Sequence, residues 1–63
     1  MYDLALKFCD GHVEIREYVD TYSIDLDSLV IWYENLEFEF FDRDCFLSDP
    51  DYSLESFKVI REY

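Results

Sequence analysis

Few residues in this sequence have side chains that could carry out chemistry. His12 is the single histidine, and it follows Asp10-Gly11, a pair typical of a tight hairpin turn. No serine or cysteine is placed beside it by the sequence, so nucleophilic catalysis has no visible support. A histidine next to a tight turn is more commonly an exposed surface residue. We therefore expect a protein without enzymatic activity.

Paired aspartates raise the possibility of a calcium site, because calcium prefers clustered oxygen ligands. Three Asp-x-Asp pairs occur: Asp25/Asp27, Asp42/Asp44 and Asp49/Asp51. The calcium-loop pattern requires glycine at its sixth position. Counted from Asp42, that position is Leu47. Counted from Asp49, it is Leu54. We expect no metal and no cofactor.

The charge of the chain is its most informative property. Sixteen acids against five Lys or Arg give a net charge of −11. No base interrupts residues 17–42. A surface of one sign costs stability through repulsion, whereas ordinary surfaces mix both signs. Such a charge opposes binding to nucleic acid or anionic membranes and favours a basic partner. The plainer alternative is that the acids only keep an aromatic-rich protein soluble.

Two of these acids have a spacing that suits nucleic-acid mimicry. Glu37 and Glu39 alternate within a predicted strand, which places their side chains on one face about 6.8 Å apart. Phosphates advance about 3.4 Å per strand along the DNA axis, a similar scale. A solvated strand face is the ordinary explanation of one Glu-x-Glu pair. The predicted phosphate-mimicking acids are Glu17, Asp25, Asp27, Glu34, Glu37 and Glu39.

Aromatic residues exceed what a small core can bury. Six Tyr, six Phe and one Trp make up 21% of the 63 residues. Chains of this size have marginal cores. Exposed aromatic clusters usually mark an interface. We therefore expect a homodimer, a partner-binding patch, or both.

Hydrophobic periodicity predicts the elements that position these residues. Alternation over residues 2–19 around Asp10-Gly11 predicts an antiparallel hairpin. Helical spacing from Leu26 to Leu36, with Asp25 or Ser23 as cap and Asn35 as stop, predicts a helix. Residues 36–41 alternate again as a third strand. Residues 53–63 fit a short helix or a strand, and we favour the helix. The prediction is one α+β domain over residues 1–63: a three-stranded antiparallel sheet with one main helix and a short C-terminal element.

The cysteines and the N-terminus bear on the cellular compartment. Cys9 and Cys45 fit no zinc or redox motif, and they could pair or stay free. We expect neither a signal peptide nor a transmembrane segment. We therefore expect a cytoplasmic protein with reduced thiols.

Taken together, these features resemble the small inhibitors of uracil-DNA glycosylase carried by certain Bacillus phages. The similarity covers roughly residues 2–40. It rests on the following segments: Tyr2-Asp3, Asp10-Gly11, Glu17-Tyr18, and Leu26-Asp27-Ser28-Leu29-Val30-Ile31-Trp32-Tyr33 followed by Asn35. The chain departs from the family at Val30, where the family has an acid, and at Leu29, where it has an aromatic residue. Trp32 and residues 42–63 have no counterpart in the family.

The resemblance implies a DNA mimic that acts as a homodimer. In the family, the two helices form an apolar cleft that traps the side chain which the glycosylase inserts into DNA, while carboxylates replace phosphates. Carried over by position, Leu29 and Tyr33 correspond to pocket-lining residues and Glu17 to a strand carboxylate. With Trp32 from the same predicted helix, the expected partner-binding pocket comprises Leu29, Trp32 and Tyr33.

Three functions follow from these expectations. The first is an inhibitor of host uracil-DNA glycosylase that blocks base-excision repair in the host cytoplasm. The second is a DNA mimic directed at another nucleic-acid-binding protein, as an anti-CRISPR or anti-restriction protein is. The third is an adaptor module whose aromatic residues bind a basic peptide. Neither membrane binding nor direct nucleic-acid binding is expected.

Overall fold

The computed structural model describes residues 1–63 and contains six β-strands and no helix. The strands are β1 (Tyr2–Phe8), β2 (Val13–Val19), β3 (Thr21–Ile24), β4 (Ser28–Trp32), β5 (Phe38–Asp42) and β6 (Leu54–Glu62). They form two antiparallel sheets. Sheet 1 has the order β2-β1-β6, and sheet 2 has the order β3-β4-β5. The predicted α+β class is therefore wrong, since the protein is all-β.

The core lies where the inner faces of the two sheets meet. Alternating residues of β1 and β4 provide most of it, as period two requires of strands with one buried face. Eight buried hydrophobic residues form one cluster: Leu4, Leu6, Phe8, Val19, Leu29, Ile31, Phe41 and Leu54. Tyr22 of sheet 2 packs edge-on against Tyr2 and Phe57 of sheet 1, with ring centroids 5.4 and 5.5 Å apart. The two sheets thus share a single hydrophobic core.

The predicted N-terminal hairpin is confirmed. β1 pairs with β2 in antiparallel register from Tyr2↔Val19 to Lys7↔Val13. Gly11 has a φ of 97°, which an L-residue adopts only with strain, and its N–H donates to the carbonyl of Phe8 at 2.9 Å. Gly11 therefore provides the positive φ of the tight turn, as the Asp10-Gly11 pair predicts.

The predicted main helix, from Leu26 to Leu36 with Asp25 or Ser23 as its cap, is wrong. This stretch is instead the middle of a three-stranded antiparallel meander: the turn after β3, the central strand β4, and the turn before β5. Leu29 and Ile31 face the core while Val30 and Trp32 face out, so both faces of the strand are apolar. Leu26 and Leu36 complete the apparent helical spacing, yet they are turn residues that are 95% and 88% exposed. β-Branched and aromatic residues fit the pleated strand better than a helix.

The C-terminal segment is also a strand rather than the favoured short helix. β6 pairs with β1 along almost its whole length, from Tyr2↔Glu62 to Phe8↔Leu54. Its end is anchored at Asp3, a buried carboxylate that accepts hydrogen bonds from the Tyr63 hydroxyl at 2.8 Å and the Tyr18 N–H at 3.1 Å. The bond to Asp3 raises the pKa of Tyr63 to about 12. The Tyr63 hydroxyl therefore remains a donor at neutral pH.

Cys9 and Cys45 form a disulfide, which corrects the expectation of reduced thiols. The bond joins the end of β1 to residues 43–53, the connection between β5 and β6, with the two Cα atoms 5.5 Å apart. The Cys9 N–H also donates to the carbonyl of Ser53 at 2.8 Å. The connection is thus tied to the core at both of its ends. The structure holds no helix that could cross a membrane.

Candidate protein-binding face

The outer face of sheet 2 carries a row of apolar side chains. Paired residues on antiparallel strands share a face. Trp32 pairs with Phe38, and Val30 pairs with Phe40. Because Leu29, Ile31 and Phe41 are buried, these four alternate residues point away from the core. We call Val30, Trp32, Phe38 and Phe40 the aromatic face.

The side chains of the aromatic face are exposed to solvent. The exposed fractions of Phe38 and Phe40 are 64% and 57%, and Trp32 and Val30 are partly exposed. The flanking strand β3 contributes only Thr21 and Ser23 to this side of the sheet, so no bulky residue shields the rings. Contiguous exposed apolar surface on a small protein marks an interaction site.

A surface pocket of about 390 Å³ lies at one end of the aromatic face. Its lining residues are Asp20, Thr21, Trp32, Tyr33, Glu34 and Leu36. Two of the three predicted pocket residues, Trp32 and Tyr33, therefore lie side by side here, although on a strand end instead of a helix. The third, Leu29, does not reach this pocket because its side chain is fully buried in the core.

The β4–β5 turn shapes this pocket. The Tyr33 N–H donates to the carbonyl of Glu37 at 2.9 Å, and the Leu36 N–H donates to the carbonyl of Tyr33 at 3.0 Å. The Asn35 side chain accepts from the Glu37 N–H at 3.1 Å, so Asn35 closes a turn and does not end a helix. Leu36 has a φ of 69°, a conformation that favours glycine or asparagine. The turn thus holds an exposed leucine under backbone strain.

Tyr33 follows Trp32 in the chain, but its ring packs against the core on the inner side of sheet 2. Burial raises the pKa of the Tyr33 hydroxyl, and the nearby Glu39 carboxylate raises it further. The hydroxyl is therefore protonated at neutral pH, and it lies near Glu39 on the core side of the sheet.

Four of the six predicted phosphate mimics lie in exposed turns at opposite ends of sheet 2. Asp25 and Asp27 are in the β3–β4 turn, whereas Glu34 and Glu37 are in the β4–β5 turn. β4 separates the two turns and is five residues long, so the acidic ends lie about 17 Å apart. Asp20 and Asp42 add further exposed carboxylates at the two ends of the sheet. The aromatic face therefore has acid at both ends.

The other two predicted phosphate mimics lie elsewhere. Glu39 is in register with the buried Ile31, so it points to the inner side, where the Arg16 Nε donates to its Oε2 at 2.9 Å. Glu37 precedes β5, so only Glu39 of the predicted Glu37/Glu39 pair lies within the strand. Glu17 is exposed but belongs to β2 of sheet 1. These two acids do not belong to the aromatic face.

His12 is occupied by its neighbours in the hairpin. Its two ring nitrogens contact the carboxylates of Asp10 and Glu14, and its ring stacks on Phe8 with centroids 4.3 Å apart. Hydrogen bonds from Glu14 and Asp10 raise the pKa of His12. The geometry suits a charged imidazolium that braces a turn. The structure also contains no group of three or more His, Cys, Asp or Glu side chains placed to hold a metal ion.

No protein-family model, curated protein or solved structure was found to match this chain.

Phe38, Phe40 and Leu36 are site residues that the sequence analysis leaves out. The strand prediction over residues 36–41 includes them but assigns them no role. The signal was present in β4, where apolar residues occupy both faces of one strand. A strand that is apolar on both sides must either be buried on both sides or carry an exposed interaction surface.

Proposed function

We propose that the protein is a non-enzymatic inhibitor that binds a basic DNA-binding protein and competes with DNA for it. The observation that carries the proposal is the aromatic face, which has carboxylates at both ends. Residues 17–42 contain no lysine or arginine, and the nearby Arg43 guanidinium is held at one end by the backbone carbonyl of Asp25 at 2.7 Å. Acidic ends suit the basic groove of a DNA-binding protein. The aromatic side chains between the two acidic ends add apolar contact area, which carboxylates that only replace phosphates would not provide.

The two parts of the face contribute to different steps of binding. A net charge of −11 attracts a basic partner over distance and raises the association rate, an effect that salt screens. Burial of Trp32, Phe38 and Phe40 against the partner slows dissociation, because aromatic anchors dominate interface energies. The pocket beside Trp32 and Tyr33 has room for one protruding apolar side chain of the partner.

Uracil-DNA glycosylase is the first target to test, because the sequence resemblance points to it. That family holds its target in a cleft between helices, and this protein has no helix. The pocket bounded by Trp32, Tyr33 and Leu36 would have to take the place of that cleft. An anti-CRISPR or anti-restriction role is the second candidate. It is favoured by acids lying about 17 Å apart, a spacing that suits a basic groove rather than one wedge residue.

A competition assay tests the proposal. Uracil excision from an oligonucleotide is measured with a bacterial glycosylase, and duplex binding with a CRISPR nuclease and a restriction enzyme, each with equimolar protein at low and physiological salt. We expect stoichiometric inhibition of at least one of these enzymes. Phe40→Ser should weaken that inhibition by about 1–2 kcal/mol, the usual loss for an interface anchor.

Val13→Ser is the matched control. Val13 is as exposed as Phe40, at 57%, but lies on the outer face of sheet 1. It should leave inhibition unchanged. Likewise, Glu34→Gln should slow association more than Glu62→Gln, which removes the same charge from β6. If none of the three enzymes is inhibited, or if Val13→Ser weakens inhibition as much as Phe40→Ser, the proposed face is refuted.

A further inference from the structure

β6 presents a long, unpaired strand edge. It is the longest strand of the protein, with nine residues, and only one of its edges pairs, with β1. Val59 and Ile60 are exposed along it. Its pairing with β1 shifts register at Glu55 and at Ile60, so the regular part of the free edge, which can offer backbone donors and acceptors to another strand, is Ser56–Val59. Natural proteins usually shorten or cover such an edge, so its occupant has to be accounted for.

The charge of β6 differs from that of every other edge strand. It carries two acids, Glu55 and Glu62, and two bases, Lys58 and Arg61. β2 and β5 have an excess of acid, and β3 has no charged residue. Two copies of a chain with a charge of −11 repel one another. The two copies can approach closely only where the local charge is balanced. Of the three edge strands that carry charged residues, β6 is the one with equal numbers of acids and bases.

We propose that the free edge of β6 pairs antiparallel with β6 of a second copy, which forms a continuous six-stranded sheet in a twofold dimer. A register centred on Lys58 sets Phe57 beside Val59 of the second copy on the inner side. At the two bulges that flank this regular segment, it brings Glu55, which also contacts Lys7 of its own chain, close to Arg61 of the second copy. Opposite charges facing each other across strands stabilise such a pair. Lys58 falls on the twofold axis, where its flexible side chain can turn away from its counterpart.

This pairing leaves the aromatic faces free. Sheet 2 covers one side of sheet 1, so extending sheet 1 through β6 puts both copies of sheet 2 on the same side of the dimer. The two acidic faces then point in the same direction. The inference does not depend on the proposed target, because the dimer forms from this chain alone.

Sedimentation equilibrium of the oxidised protein over a concentration series tests the dimer. We expect a mass of twice 7.7 kDa at the upper concentrations. Added salt should strengthen the dimer because it screens the repulsion between the copies, whereas salt should weaken binding to a basic target. Arg61→Glu should raise the dissociation constant about tenfold or more. Glu55→Arg should do the same, and the double variant Glu55→Arg/Arg61→Glu should recover the dimer.

Glu17→Arg is the control for Glu55→Arg, because it makes the same change in net charge on β2, at the opposite edge of sheet 1. It should leave the dimer intact. Thermal unfolding of each variant shows whether the fold is retained. A wild-type chain that sediments as a single copy at every concentration and salt would overturn the inference. So would an Arg61→Glu variant that dimerises as well as the wild type, or a double variant that fails to recover although it is folded.

Discussion

The Arg16 guanidinium joins the two sheets by donating from its Nε to the Glu39 Oε2 at 2.9 Å. Its NH1 also donates to Glu14 Oε1 on the same strand at 2.9 Å. Burial alone would lower the pKa of Arg16, but the hydrogen bonds to Glu39 and Glu14 outweigh it and raise the pKa. A partly buried pair of this kind fixes how the sheets lie against each other. Glu39 therefore stabilises the fold and is not available to a partner as a phosphate mimic.

Replacing Glu39 should affect stability, whereas replacing Glu37 should not. Glu39→Gln removes the acceptor charge that faces Arg16, and we expect the free energy of unfolding to fall by about 1–2 kcal/mol. Glu37→Gln changes an exposed turn residue, so its effect should stay within about 0.5 kcal/mol. Urea denaturation of the two variants measures this difference. Equal, small changes in both would mean that Arg16 does not link the sheets energetically.

The disulfide should contribute a large part of the stability of so short a chain. It links residues 36 positions apart, and closing a loop of that length typically stabilises a protein by about 2–4 kcal/mol. We expect Cys9→Ser/Cys45→Ser to lower the free energy of unfolding by this amount in urea denaturation. Wild-type protein under reductant should show the same loss, and reductant should have no effect on the double variant. Unchanged unfolding midpoints would contradict the prediction.

The N-terminal hairpin is predictable because two independent signals agree. Strict alternation from Tyr2 to Phe8 and the glycine at position 11 both require a strand followed by a tight turn. Residues 25–36 lack such agreement. Leu26 and Leu36 lie in turns, but their spacing from Leu29 imitates a helical stripe. Their exposure is a tertiary property that no local pattern reveals, and the same is true of the burial of Leu29.

The candidate site is predictable in composition but not in geometry. Net charge and the excess of rings indicate an acidic, aromatic surface from the sequence alone. Whether an aromatic ring is exposed depends on the face of the strand on which it lies. When a strand is predicted as a helix, its rings are therefore assigned to the wrong side. The role of Glu39 is equally hidden from local sequence patterns, because its partner Arg16 lies on the other sheet and 23 residues away in the chain.

The His12 cluster should make stability fall above neutral pH. The folded-state pKa of His12 is raised above its ordinary value of 6.5, so its contribution is complete below that pH and is lost as pH rises through the folded-state pKa. The pKa values of Asp10 and Glu14 are lowered from 3.8 and 4.5, so their contribution is lost as pH falls through the lowered values. We therefore expect the cluster to stabilise the protein most between about pH 4.5 and 6.5.

The unfolding temperature measured from about pH 6 to about pH 8 tests this, because few other groups titrate in that window. The wild type should lose stability across it, and His12→Gln should lose less. Asp51 also faces this cluster, and its pKa is raised by its hydrogen bond with Asp10. The variant Asp51→Asn should therefore keep the wild-type slope above pH 6. Parallel curves for wild type and His12→Gln would show that the histidine contributes nothing.

Leu36 should limit stability while supporting binding. Its positive φ costs an L-residue about 1–2 kcal/mol, and its side chain is too exposed to offset that cost by burial. Asparagine tolerates this conformation without the added chain entropy of glycine, so Leu36→Asn should raise the free energy of unfolding by about 0.5–1 kcal/mol. Because Leu36 borders the pocket beside Trp32, the same change should weaken inhibition of the target enzyme.

Leu26→Asn is the matched control for this change. Leu26 is just as exposed and also lies in a hairpin turn, but its φ is not positive, and it is at the far end of sheet 2 from the pocket. Leu26→Asn should therefore show neither the gain in stability nor the loss of inhibition that we expect for Leu36→Asn. Stability is measured by urea denaturation, and inhibition by titration of the target enzyme. A Leu36→Asn variant that gains stability and keeps full inhibition would show that the strained leucine has no role in binding.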